Sequence, residues 1–180
     1  GAIGISANAK AAAAASDLAA QNITAMTNGE ACGGFQPVDA AKLFDMEYWS
    51  LEQAKLGKGK PPAMQGCVVM ITGGGGAIGL ATAQEFVALG ANVFLVDLAT
   101  SALDAALASL GNSHGGIALD ISQSDAAARA MEACIQQFGG LDVLVSNAGA
   151  AWTGKMAELE DETLRKSFEL NFFAHQTFAK

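Results

Sequence analysis

The sequence predicts an α/β fold, a doubly wound parallel sheet in three α/β/α layers, preceded by a helical extension. Three observations predict it. From residue 66 onward short apolar runs alternate with helical patterns. The runs are apolar almost throughout, as strands covered on both faces are, and parallel neighbours need the helical crossovers that the alternation supplies. A chain of 180 residues, 51% hydrophobic and 16% charged, is long and apolar enough for one ordinary core plus a smaller piece.

The elements follow in order. Residues 1–5 suggest a short strand, and Asn8 to Met26 a helix, because Ala11 to Ala15 are strong helix formers and Leu18, Ile23 and Met26 share a helical spacing. Asn28-Gly29 and Cys32-Gly33-Gly34 then open a loop to Pro37. Leu43 to Leu56 reads as a second amphipathic helix with Phe44, Tyr48, Leu51 and Leu56 on one side. Gly57 to Pro62 is a linker of glycine, lysine and proline, and marks a domain boundary. Beyond it come strand Cys67 to Thr72, helix Ile78 to Leu89, strand Asn92 to Val96, helix Thr100 to Leu110 and strand Gly116 to Leu119. Helix Ser124 to Phe138, strand Leu141 to Ser146 and a helix from about Asp161 complete the series. Gly1 stands in a strand-like run and Lys180 in a helical pattern, so both ends read as cuts.

Charge and cysteines narrow the function classes. With 18 acidic and 10 basic residues the formal charge is −8, a field that repels phosphate backbones and anionic bilayers, so neither nucleic acid nor a membrane is an expected partner. No uncharged apolar run of about 18 residues and no basic-then-apolar leader is present, which predicts a soluble, cytoplasmic protein. Cys32, Cys67 and Cys134 are odd in number and lack CxxC or Cys/His spacing, so reduced, mostly buried thiols and no metal site are expected. His114 and His175 stand alone, as a loop and a helix-face residue do.

The chemistry concentrates after the first strand of the second part. Val68-Val69-Met70-Ile71 runs into Thr72-Gly73-Gly74-Gly75-Gly76-Ala77-Ile78-Gly79 and then a helix whose Leu80, Ala83, Phe86 and Val87 face inward. Strand, glycine turn and helix in that order make the Rossmann dinucleotide site: glycines let backbone approach a pyrophosphate, and the helix N-terminus favours its charge. A glycine run alone also fits an empty loop. Asp97 adds to it, because a carboxylate at the end of the second strand, about twenty residues on, can accept hydrogen bonds from the adenosine ribose. It would repel the extra phosphate of NADP, and no Arg adjoins it, so the expected cofactor is NAD. The alternative is a cap or turn aspartate before Leu98-Ala99-Thr100.

Thr72 to Gly79 resembles the TGxxxGxG turn of the short-chain dehydrogenase/reductase superfamily, and further matches cover residues 66–180. Asp120, with Ile121 after it, resembles the family's aspartate at the adenine ring; a helix N-cap is the alternative. Asn147-Ala148-Gly149 resembles the NAG motif that lines the cofactor cleft; a plain turn is the alternative. Asn171, in Ser167 to Phe173, resembles the helix asparagine that holds a water in the family's proton relay, a catalytic role, where a polar-face residue is the alternative. The resemblance thus implies a cofactor-binding set of Thr72, Gly73, Gly75, Gly76, Ala77, Ile78, Gly79, Asp97, Leu98, Asp120, Ile121, Asn147, Ala148 and Gly149.

Two departures stand out. Ala77 replaces the usual glycine of the turn, and the family's later catalytic Ser and YxxxK helix have no counterpart, the single tyrosine being Tyr48. The resemblance therefore implies an NAD-dependent oxidoreductase in the full-length parent, moving a hydride between NAD and a hydroxyl or carbonyl of a sugar-derived or small aldehyde substrate, with this stretch silent by itself. A non-catalytic dinucleotide-binding or interaction domain is the rival reading. The family's dimer contact uses helices around Asp161 to Lys180, which implies a homo-oligomeric parent, and Phe168, Phe172, Phe173 and Phe178 are expected to be exposed at an interface or a missing neighbour.

Leu43 to Leu56 and the linker resemble the junction of bifunctional class II aldolase/short-chain dehydrogenases of rhamnulose-phosphate-type sugar metabolism. That implies residues 1–34 as the tail of an aldolase-like domain, 35–65 as helix and linker, and 66–180 as a partial Rossmann domain. An ordinary helical extension is the alternative.

Overall fold

A computed structural model describes residues 3–49, 60–155 and 157–180. The chain divides into two compact units, Gly1–Pro61 and Pro62–Lys180.

In the first unit, α1 (Ala9–Ala31) starts where Asn8 caps it, its Oδ1 accepting the Ala11 N–H at 2.9 Å. The helix runs through Asn28-Gly29, where the sequence predicts a loop. It ends instead at Gly33 and Gly34, whose φ of 117° and 122° only glycine adopts readily, and the Gly34 N–H closes on the Gly29 carbonyl at 3.0 Å. The strand predicted at residues 1–5 is absent from 3–5, which have no regular structure; Gly4 donates to the Ser16 hydroxyl of α1 instead of to a neighbouring strand. Helix α2 (Ala40–Glu47) is capped by Asp39 and stacks Phe44 on Tyr48, ring centroids 4.5 Å apart. Leu51, Leu56 and the predicted linker from Gly57 to Gly59 lie outside the described residues.

The second unit alternates as predicted: β1 (Val68–Thr72), α3 (Ala77–Ala88), β2 (Asn92–Asp97), α4 (Thr100–Leu110), β3 (Gly115–Ala118), α5 (Ala126–Phe138) and β4 (Val143–Val145). The sheet order is β3-β2-β1-β4, all parallel, with Ile71 paired to Leu95 on one side and Val145 on the other. Strand side chains alternate between faces. Val68, Met70, Phe94 and Val96 pack with Ala130 and Cys134 of α5, while Val69, Ile71, Val93 and Leu95 pack with Ala83 of α3 and Leu103 and Ala106 of α4. Both faces are covered, which is why β1 and β2 read as unbroken apolar runs. Because the chain steps outward from β1 to β3 and then returns to β4, the order reverses between β1 and β4. A crevice opens there, at the carboxyl ends of the strands.

The chain continues through α6 (Asp161–Phe168), a π-helical turn (Glu169–Phe173) and α7 (Ala174–Phe178). In the π turn the Ala174 N–H reaches back to the Glu169 carbonyl, one residue further than in an α-helix, which re-aims the side chains that follow. Ala174 and Phe178 turn into the core as a result. Phe178 is 4% exposed, against the expectation, whereas Phe168, Phe172 and Phe173 are exposed as expected. The thiols differ among themselves: Cys134 is buried, and burial pushes it up to about 11, but Cys67 is half-buried and Cys32 exposed, fewer buried than expected. Among the described residues no helix is long and apolar enough to cross a membrane.

Candidate functional site

The glycine turn is packed too closely for side chains at Gly73, Gly74, Gly75 and Gly79. Gly73 has φ of 66°, and a Cβ there would stand 2.9 Å from Ala148 Cα; a Cβ on Gly79 would stand 2.2 Å from the Gly73 carbonyl oxygen. Backbone thus lies directly on backbone where β1 passes into α3. Gly76 caps α3 without a side chain, so no side-chain cap bond closes the first turn of α3 among the described residues. Ala77, the departure from the family turn, is exposed at the first helical position and its methyl displaces nothing in the core.

A cleft of about 1090 Å³ opens over this turn. Gly73, Gly76, Ala77, Ile78, Gly79, Asp97, Leu98, Asp120, Ile121, Asn147, Ala148 and Gly149 line it, so residues from the ends of four successive strands meet in one place. Three predicted residues are not on its wall. Thr72 is 1% exposed beneath the turn, Gly75 packs against Ala102, and Asn171 binds backbone behind the cleft.

Each of the three holds a wall residue. The Asp97 Oδ2 accepts the Gly75 N–H at 2.9 Å and its Oδ1 the Ala99 N–H at 3.1 Å. The carboxylate is therefore both a turn aspartate and a residue of the cleft wall. Thr72 Oγ1 accepts the backbone N–H groups of Asn147 and Ala148, both at 3.0 Å, while Asn147 Nδ2 donates back to the Thr72 carbonyl at 2.9 Å. Asn171 grips Ala150 at both ends of its peptide: Oδ1 accepts the N–H at 3.1 Å and Nδ2 donates to the carbonyl at 2.8 Å.

Asp120 is not the N-cap of α5, which is Asp125. Its Oδ1 accepts the Ser122 hydroxyl at 2.7 Å and the Ser122 N–H at 2.9 Å. These bonds, the hydroxyl first, hold its carboxyl below the usual carboxylate range, with the Lys166 ammonium and Gln123 adding to the effect.

Sequence reasoning missed the far wall: Trp152, Glu162, Arg165, Lys166, Glu169 and Leu170. Lys166 Nζ sits 5.6 Å from the Trp152 ring centroid. The alternating charges of Asp161 to Lys166 read as an ordinary solvated helix, and nothing in their spacing marks a cleft. His175 is not isolated either, since its Nδ1 meets the Ser146 hydroxyl. His114 is placed as expected in a loop, its Nδ1 accepting the Val93 N–H at 3.2 Å. A second hollow of about 620 Å³, lined by residues from Ala151 to Thr163, contains none of the predicted residues.

Residues 67–180, more than half of the chain, match the model of the short chain dehydrogenase family. The chain belongs to that family. Residues 1–56 match the second domain of class II aldolases, so the chain joins pieces of two families as aldolase/dehydrogenase fusions do. This dehydrogenase-family chain is 30% identical over 155 residues to an uncharacterised oxidoreductase, YuxG, of Bacillus subtilis, covering 83% of this chain and 22% of the relative. It also resembles the solved structure of a 3-ketoacyl-(acyl-carrier-protein) reductase from Brucella melitensis complexed with NADH, at 29% identity and TM-score 0.62 over 63% of this chain and 48% of that one. L-sorbose reductase from Gluconobacter frateurii, complexed with NADPH and L-sorbose, is similar at 31% identity and TM-score 0.62, over 67% of this chain and 47% of that one. The chain thus spans less than half the length of these relatives.

Proposed function

We propose that the cleft holds NAD(H), and that the chain is the cofactor-binding portion of an oxidoreductase whose full-length form acts on a hydroxyl or carbonyl of a sugar-derived or small aldehyde substrate. The observation that carries the reading is the meeting of a side-chain-free turn with two anchored carboxylates on one wall. The residues fit the group. Gly73, Gly76 and Gly79 leave backbone accessible to a pyrophosphate. Asp97, fixed by Gly75 and Ala99, keeps oxygen lone pairs for ribose hydroxyls, and Asp120 and Ile121 bound the adenine side. Bound NAD supplies hydride acceptance; the chain's own residues bind and orient it.

Preference for NAD over NADP rests on Asp97, whose charge opposes a phosphate on the adjoining hydroxyl. Arg165 and Lys166 put cations in the same cleft, so the preference needs direct comparison. Asn171, gripping Ala150, would hold the loop beside the reacting end and the relay water. The dehydrogenase portion contains no tyrosine, which favours a second reading, dinucleotide binding without turnover, for these 180 residues alone. Titration with NADH and NADPH tests the proposal: NADH is expected to bind more tightly, and equal or tighter NADPH binding that survives Asp97→Ala would overturn the NAD assignment.

A further inference from the structure

The segment Asn147-Ala148-Gly149 is held to β1 from one side by Thr72, and the far end of its loop is held by Asn171 on Ala150. At the near end, the Ser146 hydroxyl meets Nδ1 of His175. Ser146 is the first residue past β4, whose last paired residue is Val145. Ser146 and Ala150 bracket the Asn147-Ala148-Gly149 segment, and Asn171, in the π-helical turn, and His175, in α7, reach its two ends. One continuous helical segment therefore clasps both ends of the cleft-lining segment.

The anchor behind His175 is firm. Its neighbour Ala174 is buried, and Phe178, one helical turn on, fills the core beside Val68, Met70 and Phe94. An imidazole on that helix can fix the height of Ser146 against the sheet.

We infer that His175 is a positioning residue, acting through the Ser146 hydroxyl to hold Asn147, Ala148 and Gly149 in the register that Thr72 and the cleft require. The consequence for cofactor affinity rests on the proposed NAD(H) reading; the clasp itself does not.

Two measurements on the 180-residue chain decide it. Amide hydrogen exchange reads the clasp without any ligand: the Asn147 and Ala148 amides, which donate to Thr72, are expected to exchange about fivefold or more faster in His175→Ala and Ser146→Ala. His175→Asn, which keeps a polar atom near the Nδ1 position, is expected to restore slow exchange. The double variant is expected to be no worse than either single one. NADH titration of the same proteins should show a matching loss of affinity, rescued by Asn, at unchanged β1 and β2 exchange. Exchange at Asn147 and Ala148 that is indifferent to both substitutions, or additive losses in the double variant, would overturn the inference. Failure of the unsubstituted chain to bind NADH would instead overturn the cofactor reading, with exchange still deciding the clasp.

Discussion

The Asp97 carboxylate accepts the N–H of Gly75 at 2.9 Å, which ties the tip of β2 to the glycine turn that follows β1. Asp97, to which the proposed function gives the ribose, therefore also sets the shape of the glycine turn. Asp97→Ala is expected to weaken NADH binding about tenfold, the scale of a lost hydrogen bond to a charged group, and to weaken NADPH binding less. Asp97→Asn keeps an acceptor and should fall between them. Isothermal titration of the three proteins with both cofactors checks the order.

Thr72 predicts a stability effect without touching the cleft. Its hydroxyl oxygen accepts two backbone N–H groups, from Asn147 and Ala148. Thr72→Val keeps the volume and strips both donors of their partner, so about 2 kcal/mol of stability should be lost, whereas Thr72→Ser should lose less than about 1 kcal/mol. Urea unfolding distinguishes them.

The glycines of the turn are expected to be unequal. Gly79→Ala places a Cβ 2.2 Å from the Gly73 carbonyl oxygen and Gly73→Ala meets Ala148 at 2.9 Å with φ of 66°. Each should destabilise the fold by about 2 kcal/mol or more and abolish NADH binding. At Gly76 the only near atom is 3.3 Å away, so Gly76→Ala should change stability by less than about 1 kcal/mol.

His114 gives a pH dependence with a defined sign. Burial lowers its pKa below the ordinary 6.5, and its Nδ1 must be unprotonated to accept the Val93 N–H. The folded state thus holds the proton less tightly than the unfolded one. The resulting contribution is present above about pH 6.5 and is lost as pH falls through the lower folded value. Chemical unfolding between pH 7.5 and 5 should show stability falling with acid, and His114→Gln should flatten that slope.

Much of this was legible in the sequence, and the misses have physical causes. The strands β1 and β2 were legible because burial on both faces demands unbroken apolar runs, and the turn at Gly73 to Gly79 because backbone packed directly on backbone demands glycine. The helix through Asn28-Gly29 was misread because a glycine in helical conformation only weakens a helix, whereas Gly33 and Gly34 take the positive φ that a helix cannot continue through. Phe178 was misplaced because the π turn shifts the helical register by a residue that periodicity does not show. Ser146 and His175 are 29 positions apart, and neither is unusual alone, so only the fold could pair them. Trp152 lies in the irregular stretch after Gly149, which has no period to read, and Arg165 and Lys166 lie on a helix whose charges read as a solvated face.

Catalysis gives a further outcome. Tyr48, in the first unit, is the single tyrosine of the 180 residues, and a short-chain dehydrogenase depends on a tyrosine as its acid/base. The chain alone is expected to bind NAD without oxidising sugar alcohols at ordinary dehydrogenase rates; reduction of NAD at such rates, followed at the NADH absorbance, would contradict this.

Chemical-shift mapping of the chain during NADH titration tests most directly whether the dinucleotide lies across the glycine turn and the two carboxylates. Saturable shifts at Gly73 to Gly79, Asp97, Leu98, Asp120, Ile121 and Asn147 to Gly149 are the predicted result. Shifts confined to the hollow between Ala151 and Thr163, or none, would contradict it.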